Sequence, residues 1–347
     1  MKIAHINLAK GFRGGEKQTA ILIEELSKFG YFQTLFVRNR KMNISLKRYI
    51  DIRKIKNLNI VEIGKPYIFS ILKFRGFDLI HSHETKANQL SYFIYKILKI
   101  PYLITRRVQF TPSKNFFNLE IYRKAKSIIS LSSAIKNDLQ KLDINLKIDI
   151  IPDSTSIKIL NSEWLNLAVL KNKKVIGHIG AVVDEDKGQC TILETAKLFE
   201  KERKNIHFIL IGDGKDLELC KNRAKNMKNI SFLGFLDEPQ KYIKNFDIFI
   251  FPSNHEGLGS TLLDVMSLEV PIIASKIGGI VDIIQDGRNG FLIPPKNSQK
   301  LRDKIVELLS DNRVKNNFTE NSLKIVDDFS SDKIANRYKN IYYRLIN

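Results

Sequence analysis

The chain has 347 residues, 43% of them hydrophobic, which is too long for one ordinary α/β core and suits two domains of roughly 150 residues each. Its net charge of +20 is uneven: residues 1–150 carry 28 Lys and Arg against 11 Asp and Glu (+17), residues 151–347 carry 29 against 26 (+3). That asymmetry excludes a uniform compositional bias and points to an anionic partner for the N-terminal half, while two cysteines, Cys190 and Cys220, exclude a disulfide framework.

Short β-branched runs alternate with amphipathic stretches, the pattern of βαβ units around parallel sheets. The opening "MKIAHINLAKGF" is too short in apolar residues for a signal peptide and reads as a first strand, so a cytoplasmic location is expected. No run of about 18 apolar residues is present to cross a bilayer; the nearest, residues 90–104, is broken by Lys96, Lys99 and Pro101. Strands are predicted at 2–8, 33–37, 59–63, 78–81, 102–104, 127–131 and 148–151, with helices between.

Ligands of open α/β sheets sit beyond the carboxyl ends of the strands. The first such loop places Gly11, Gly14 and Gly15, with Arg13, before a helix opening at Glu16, where amides and the helix dipole can receive a phosphate; a tight turn is the alternative. Its spacing matches neither nucleotide-binding glycine fingerprint, and Arg38 rather than an acid follows Val37, so no nicotinamide is expected. The fourth strand ends in His81, His83 and Glu84. His81 is expected to be buried and hydrogen-bonded and His83 to face a ligand; zinc is not expected, because the sequence brings no third ligand near this H-x-H. Arg106 and Arg107 end the fifth strand, either gripping an anion or solvated.

Residues 151–174 lose periodicity and are assigned to the inter-domain connection. A second series follows, from "KKVIGHIG" through strands near 206–211, 230–233, 247–250, 271–274 and 291–293. Behind its first strand come Gly180, an acidic loop and Lys187-Gly188, read as opening a helix. A lysine there opposes the dipole unless an anion is present, so a phosphate contact is favoured; Asp184 and Asp186 are taken as solvated. Gly212-Asp213-Gly214 forms another strand-end turn, and Gly234 with Phe235 suits the edge of a flat base. After "FDIFIFPS", Glu256 precedes Gly257-Leu258-Gly259, and Ser260-Thr261 start a helix carrying Asp264. Glycine amides can hold a diphosphate while acids at two depths accept hydroxyl hydrogen bonds on either side of it, which describes a nucleotide-sugar; dipole stabilisation is the alternative for Asp264. The last stretch is an amphipathic helix with Ile334, Tyr338, Ile341, Tyr342 and Leu345 on one face.

The ordered set of Gly14-Gly15-Glu16, H-x-H, Lys187-Gly188, I-G-D-G, and E-G-x-G-x-x-x-x-D followed by "VPIIASKIGGIVDIIQDGRNGFLIPP" resembles the glycosyltransferases of family 4 over nearly the whole chain. The resemblance implies the GT-B fold, two Rossmann-like doubly wound parallel-sheet domains facing across a cleft. It divides the chain into a basic acceptor-binding domain at 1–160, a donor-binding domain at 161–327 and a terminal helix, 328–347, returning to the first domain. It implies retaining, metal-independent transfer from a nucleotide-sugar, a co-substrate rather than a cofactor, to a glycan or lipid-linked acceptor in cell-envelope polysaccharide or lipopolysaccharide biosynthesis. The Gly15 amide and Lys187 would face the diphosphate, Glu256 the hydroxyls of the transferred sugar, Asp264 the ribose, and His83 the reacting centre. Gly257, Leu258, Gly259, Ser260 and Thr261 would wrap the phosphates, with Gly180, Gly212, Gly234 and Phe235 completing the donor site. Arg13, Glu16, Arg106 and Arg107 are the acceptor or phosphate candidates. Two positions depart from the family pattern: Ala181 stands where an arginine is usual, and Asp264 where a glutamate is. A sugar-nucleotide epimerase of similar architecture and a catalytically weakened binding module are the alternative readings. Nucleic acid is not expected as a partner, since no groove-reading or base-stacking motif accompanies the charge. Attachment to the inner face of the membrane is the expected peripheral contact.

Overall fold

The computed structural model describes residues 1–11, 13–39, 55–157, 172–202 and 205–346. Two compact units divide the chain, Met1–Ser154 with Phe329–Asn347, and Thr155–Asp328. The boundaries expected at 160 and 327 thus fall at 154 and 328, and most of the assigned connection, 158–171, lies outside the described residues.

The first unit is built on β1 (Lys2–Asn7), β2 (Phe32–Arg38), β3 (Leu58–Ile63), β4 (Leu79–Ser82), β5 (Tyr102–Arg106), β6 (Ser127–Ser130) and β7 (Ile148–Ile150). All pair in parallel in the order β3-β2-β1-β4-β5-β6-β7. β4 and β5 are buried along their whole length, the expected state of central strands covered on both faces by helices. The terminal helix, Ser331–Ile346, belongs to this unit: Ile334, Tyr338, Ile341 and Tyr342 share one stripe and join Ile3, Leu22, Leu79, Leu103 and Ile129 in a single core. Each such burial contributes about 1.5–3 kcal/mol, enough for the stripe to hold the helix in place.

The second unit carries β8 (Lys174–Ile179), β9 (Ile206–Ile211), β10 (Ile230–Gly234), β11 (Ile248–Phe251), β12 (Ile272–Ser275) and β13 (Phe291–Ile293), parallel in the order β10-β9-β8-β11-β12-β13. Ile192, Ala196 and Phe199 of helix Gln189–Lys201, and Leu301, Ile305 and Leu308 of helix Ser298–Ser310, pack on Ile176, Phe208, Ile250 and Ile273 of the sheet.

In each sheet the chain winds outward in both directions from a central pair, β1 with β4 and β8 with β11. The crevice beyond such a switch point is where doubly wound sheets bind ligands, so the loops after these four strands are the ones that matter. Among the described residues no helix is long and apolar enough to cross a membrane.

Candidate active site

In the second unit, the loops after β8 and β11 bring Lys187 and Glu256 together. Lys187 does not open a helix: it ends the short helix Asp184–Lys187, and Gly188, at φ 68°, turns the chain into Gln189–Lys201. A Cβ on Gly188 would lie 2.1 Å from the Pro252 carbonyl oxygen, so this turn requires glycine on two counts. The Lys187 Nζ meets Glu256 Oε2 at 2.5 Å, with both side chains largely buried. At a helix end the lysine does not oppose the dipole, and its ion-pair partner here is a carboxylate of the protein itself. The two loops are also tied through their backbones, since Asn254 and His255 both donate N–H to the Asp186 carbonyl. Asp184 accepts from the Cys190 amide at 2.5 Å and so caps the following helix, which gives one half of the D-x-D a structural task instead of the solvated state expected of it.

The strand-end glycines line up beside this pair. Gly180 N–H donates to the Ile211 carbonyl and Gly212 N–H to the Gly234 carbonyl, extending the β8-β9-β10 ladder into the loops. Gly212, at φ 145°, passes so close to the Gly180 carbonyl that a Cβ would sit 1.8 Å from it. Phe235, 63% exposed, follows Gly234 as an apolar surface. Leu258 is buried, Gly259 takes φ 86°, and Ser260 leads into helix Thr261–Ser267, whose Leu262 and Leu263 amides turn back to the Gly259 and Ser260 carbonyls.

Asp264, to which the resemblance assigns the ribose, is bonded within the protein in this structure. It is 5% exposed, and its Oδ1 accepts from Ser156 N–H at 2.6 Å and Thr155 Oγ1 at 3.1 Å. Its Oδ2 accepts from Ser156 Oγ at 2.7 Å and Gln240 Nε2 at 3.4 Å. Four donors occupy the four lone-pair directions of the carboxylate, so it fastens the 155–156 segment to its helix. A glutamate, one methylene longer, would not fit this arrangement without displacement.

In the first unit β1 and the end of β4 bring three imidazoles together. His81 is fully buried, with Nδ1 at 2.6 Å from the Tyr342 hydroxyl and Nε2 at 2.7 Å from Thr105 Oγ1. His83, expected to face a ligand, is only 3% exposed, because its ring packs beside His81 and His5. His5, from β1, is the third imidazole that the sequence did not bring near the pair, and one ring nitrogen from each of the three lies within 4.8 Å of the other two. Among these rings, both nitrogens of His81 and both of His5 already have partners, so a cation here would have to displace protein hydrogen bonds.

The bonds fix the protons. The Gln33 amide donates to the Ile23 carbonyl at 2.9 Å, which leaves its Oε1 to accept from His5 Nε2–H at 3.0 Å. His5 Nδ1 is then a bare lone pair and accepts from His83 Nε2–H at 3.1 Å. His83 Nδ1 is consequently an unprotonated acceptor, and it is buried without a protein partner. Burial pushes His5 down to about 4 and holds His81 and His83 well below the usual imidazole range, with their mutual proximity adding to it, so all three are neutral near pH 7.

Neither arginine of the 106–107 pair is solvated. Arg106 is buried and donates through Nη2 to the Phe110 carbonyl at 2.7 Å, shaping the loop after β5. Arg107 forms an ion pair with buried Asp153, and its Cδ would lie 3.3 Å from a Cβ on Gly15, so any larger residue at 15 presses on the aliphatic stem of the arginine. Arg13 is exposed, while its backbone N–H donates to Glu16 Oε2 at 2.8 Å; burial raises the Glu16 carboxyl. Of the residues that sequence reasoning missed, His5 had a visible signal, a polar side chain inside an otherwise apolar strand. Gln33, Asp153, Thr155, Ser156 and Gln240 had none.

Two doubly wound parallel-sheet units with glycine-rich and charged loops at both switch points define a protein of the GT-B class. The structure of Anabaena HepE in complex with UDP-glucose superposes with a TM-score of 0.85 at 19% identity, covering 99% of this chain and 100% of that one. The model of glycosyl transferases group 1 matches residues 166–325 and that of glycosyltransferase family 4 matches residues 12–155. The chain belongs to the family 4 glycosyltransferases. It is 26% identical over 328 residues to an uncharacterized glycosyltransferase of Methanocaldococcus jannaschii, covering 89% of this chain and 88% of that protein. It is 21% identical over 347 residues to the lipopolysaccharide core biosynthesis glycosyltransferase LpsE of Rhizobium meliloti, covering 97% and 98%.

Proposed function

We propose that the chain is a retaining, metal-independent glycosyltransferase that moves a sugar from a nucleotide-sugar to a glycan or lipid-linked acceptor of the cell envelope, working at the inner face of the membrane. The observation that carries this reading is the Lys187–Glu256 pair at the β8/β11 switch point. Departure of a nucleoside diphosphate builds negative charge on its phosphates, and catalysis requires that charge to be stabilised more in the transition state than in the bound donor. Lys187 supplies the cation from a largely buried position, where its field is less screened than at the surface. As Lys187 turns to the diphosphate, Glu256 is released to accept from hydroxyls of the transferred sugar. The Gly15 amide and the Gly257–Thr261 segment would take further phosphate oxygens, with Gly180, Gly212, Gly234 and Phe235 around the nucleotide. Arg13, exposed in the first unit, would approach an anionic acceptor or phosphate. Asp264 serves the site by fixing the 155–156 segment. His83 offers a lone pair at Nδ1 to a hydroxyl of the reacting sugar.

The test is a melting-temperature screen of the full chain against UDP-glucose first, since HepE was solved with that donor, then GDP-, ADP- and CDP-sugars. At a concentration about 100 times Kd, a ligand of the folded state adds about 2.7 kcal/mol. Product formed in the presence of EDTA, with the anomeric configuration of the donor, completes the test; no response to any nucleotide-sugar refutes the reading. Ala181 favours one second reading, a nucleotide-sugar-binding module with weakened catalysis, which predicts the melting shift without turnover and a gain of turnover in Ala181→Arg.

A further inference from the structure

One face of the first unit combines apolar exposure with basic charge. The 3-10 helix Tyr67–Phe74 packs against helix Thr85–Leu98, which in turn packs against helix Phe116–Lys124. The surface is continuous across the second junction, where the Phe117 ring contacts Tyr92 and Phe93 at 5.7 and 5.8 Å. Phe69 is 83% exposed and Phe116 80%, and Ile68 and Leu72 of the 3-10 helix and Ile97 of helix Thr85–Leu98 are exposed as well. Large apolar residues on neighbouring elements of one face are not the scattered singletons of an ordinary surface; they mark a contact site. Leaving out buried Arg106 and ion-paired Arg107, residues 65–126 carry 10 Lys and Arg against 3 Asp and Glu, so the occupant of this face is anionic.

We propose that this face docks on the interfacial region of a lipid bilayer bearing anionic headgroups, with Phe69 and Phe116 entering the acyl boundary and Lys73 and Lys114 facing the phosphates. Interfacial binding grows with the apolar area buried and with attraction between basic side chains and anionic lipid, and this face offers both. A folded protein partner would match the apolar residues but not a surplus of seven positive charges with so few acids, whereas a headgroup layer matches both. The placement also suits the reaction: helix Thr85–Leu98 begins just beyond the carboxyl end of β4, and the loop after β5 leads into helix Phe116–Lys124, so a bilayer against them holds a lipid-linked acceptor near the loops that carry His83 and Arg107. Only that last step rests on the glycosyltransferase reading.

The experiment is co-sedimentation of the full chain with phosphatidylcholine vesicles, with and without phosphatidylglycerol, at low and high salt. Binding is expected only with phosphatidylglycerol and is expected to weaken as salt rises. Phe69→Ser with Phe116→Ser is expected to lower the partition coefficient about 100-fold, near tenfold for each phenylalanine withdrawn from the interface. Lys73→Glu with Lys114→Glu should lower it without touching the apolar residues. Equal binding to neutral vesicles, no binding to either kind, or unchanged partition of both double variants overturns the proposal. The melting response to nucleotide-sugar, followed in the same samples, separates the two ideas: loss of that response with vesicle binding intact rejects the donor site alone.

Discussion

Asp264→Ala tests whether this carboxylate is a fastening or a ligand contact. In the structure it accepts from Ser156 N–H, Ser156 Oγ and Thr155 Oγ1 at 2.6, 2.7 and 3.1 Å in a buried setting. Hydrogen bonds to a charged group contribute about 1.5–3 kcal/mol each, and the two hydroxyls recover part of theirs by rotating, Thr155 toward Ser267 Oγ at 3.2 Å. The net loss is about 3 kcal/mol. For a domain of this size that lowers Tm by roughly 6–12 °C. Asp264→Asn behaves differently: one oxygen still accepts from Ser156 N–H, and the new amide can donate to Ser156 Oγ and to Gln240 Oε1, which has no partner. It should lie within about 1 kcal/mol of the parent, because a replacement that keeps each partner satisfied costs little. Thermal melts and urea titrations of both variants, with nucleotide-sugar binding measured alongside, decide the matter. If the alanine variant melts within about 1 °C of the parent while both variants lose nucleotide affinity, Asp264 is a ligand contact and the fastening account is wrong.

Lys187→Ala is expected to cut turnover roughly 100-fold or more while the fold survives, and a purified variant with near-normal turnover would remove Lys187 from the mechanism. Selective nitrogen-15 labelling of histidine should show His83 protonated at Nε2 and bare at Nδ1. Gln33→Leu, which removes the acceptor for His5 Nε2–H, should mix its tautomers; a parent protein with the proton on His83 Nδ1 contradicts the chain of bonds. His5 and His178 are held down at about 4, and His81 and His83 well below the ordinary value of 6.5, all primarily by burial. The unfolded chain therefore binds more protons below about pH 6.5, so these residues leave stability intact above that pH and erode it as pH falls toward about 4. The slope reaches about 1.4 kcal/mol per pH unit for each histidine. Urea midpoints should drop steeply from about pH 7 to about pH 5, and a flat profile would mean that the rings charge without leaving the core.

The sequence by itself determined the two parallel-sheet units, most strand limits to within a residue, and the loops that carry the chemistry. Local periodicity is enough for this: a strand buried on both faces reads as a continuous apolar run, as Ile-Phe-Ile-Phe of β11 does, and the glycines at 188 and 212 answer to backbone geometry. The terminal stripe of Ile334, Tyr338, Ile341 and Tyr342 likewise announced a buried face, though not which core would receive it. What only the tertiary structure decided is the partner of each polar group. Lys187 finds Glu256, 69 residues on, Asp264 finds Ser156, 108 residues back, and His83 finds His5, 78 residues back. A side chain's charge and hydrogen-bonding capacity are written in its own identity. Whether that capacity is spent inside the protein or left open to a ligand depends on donors and acceptors brought within 3 Å by strand order, and no local pattern encodes that distance.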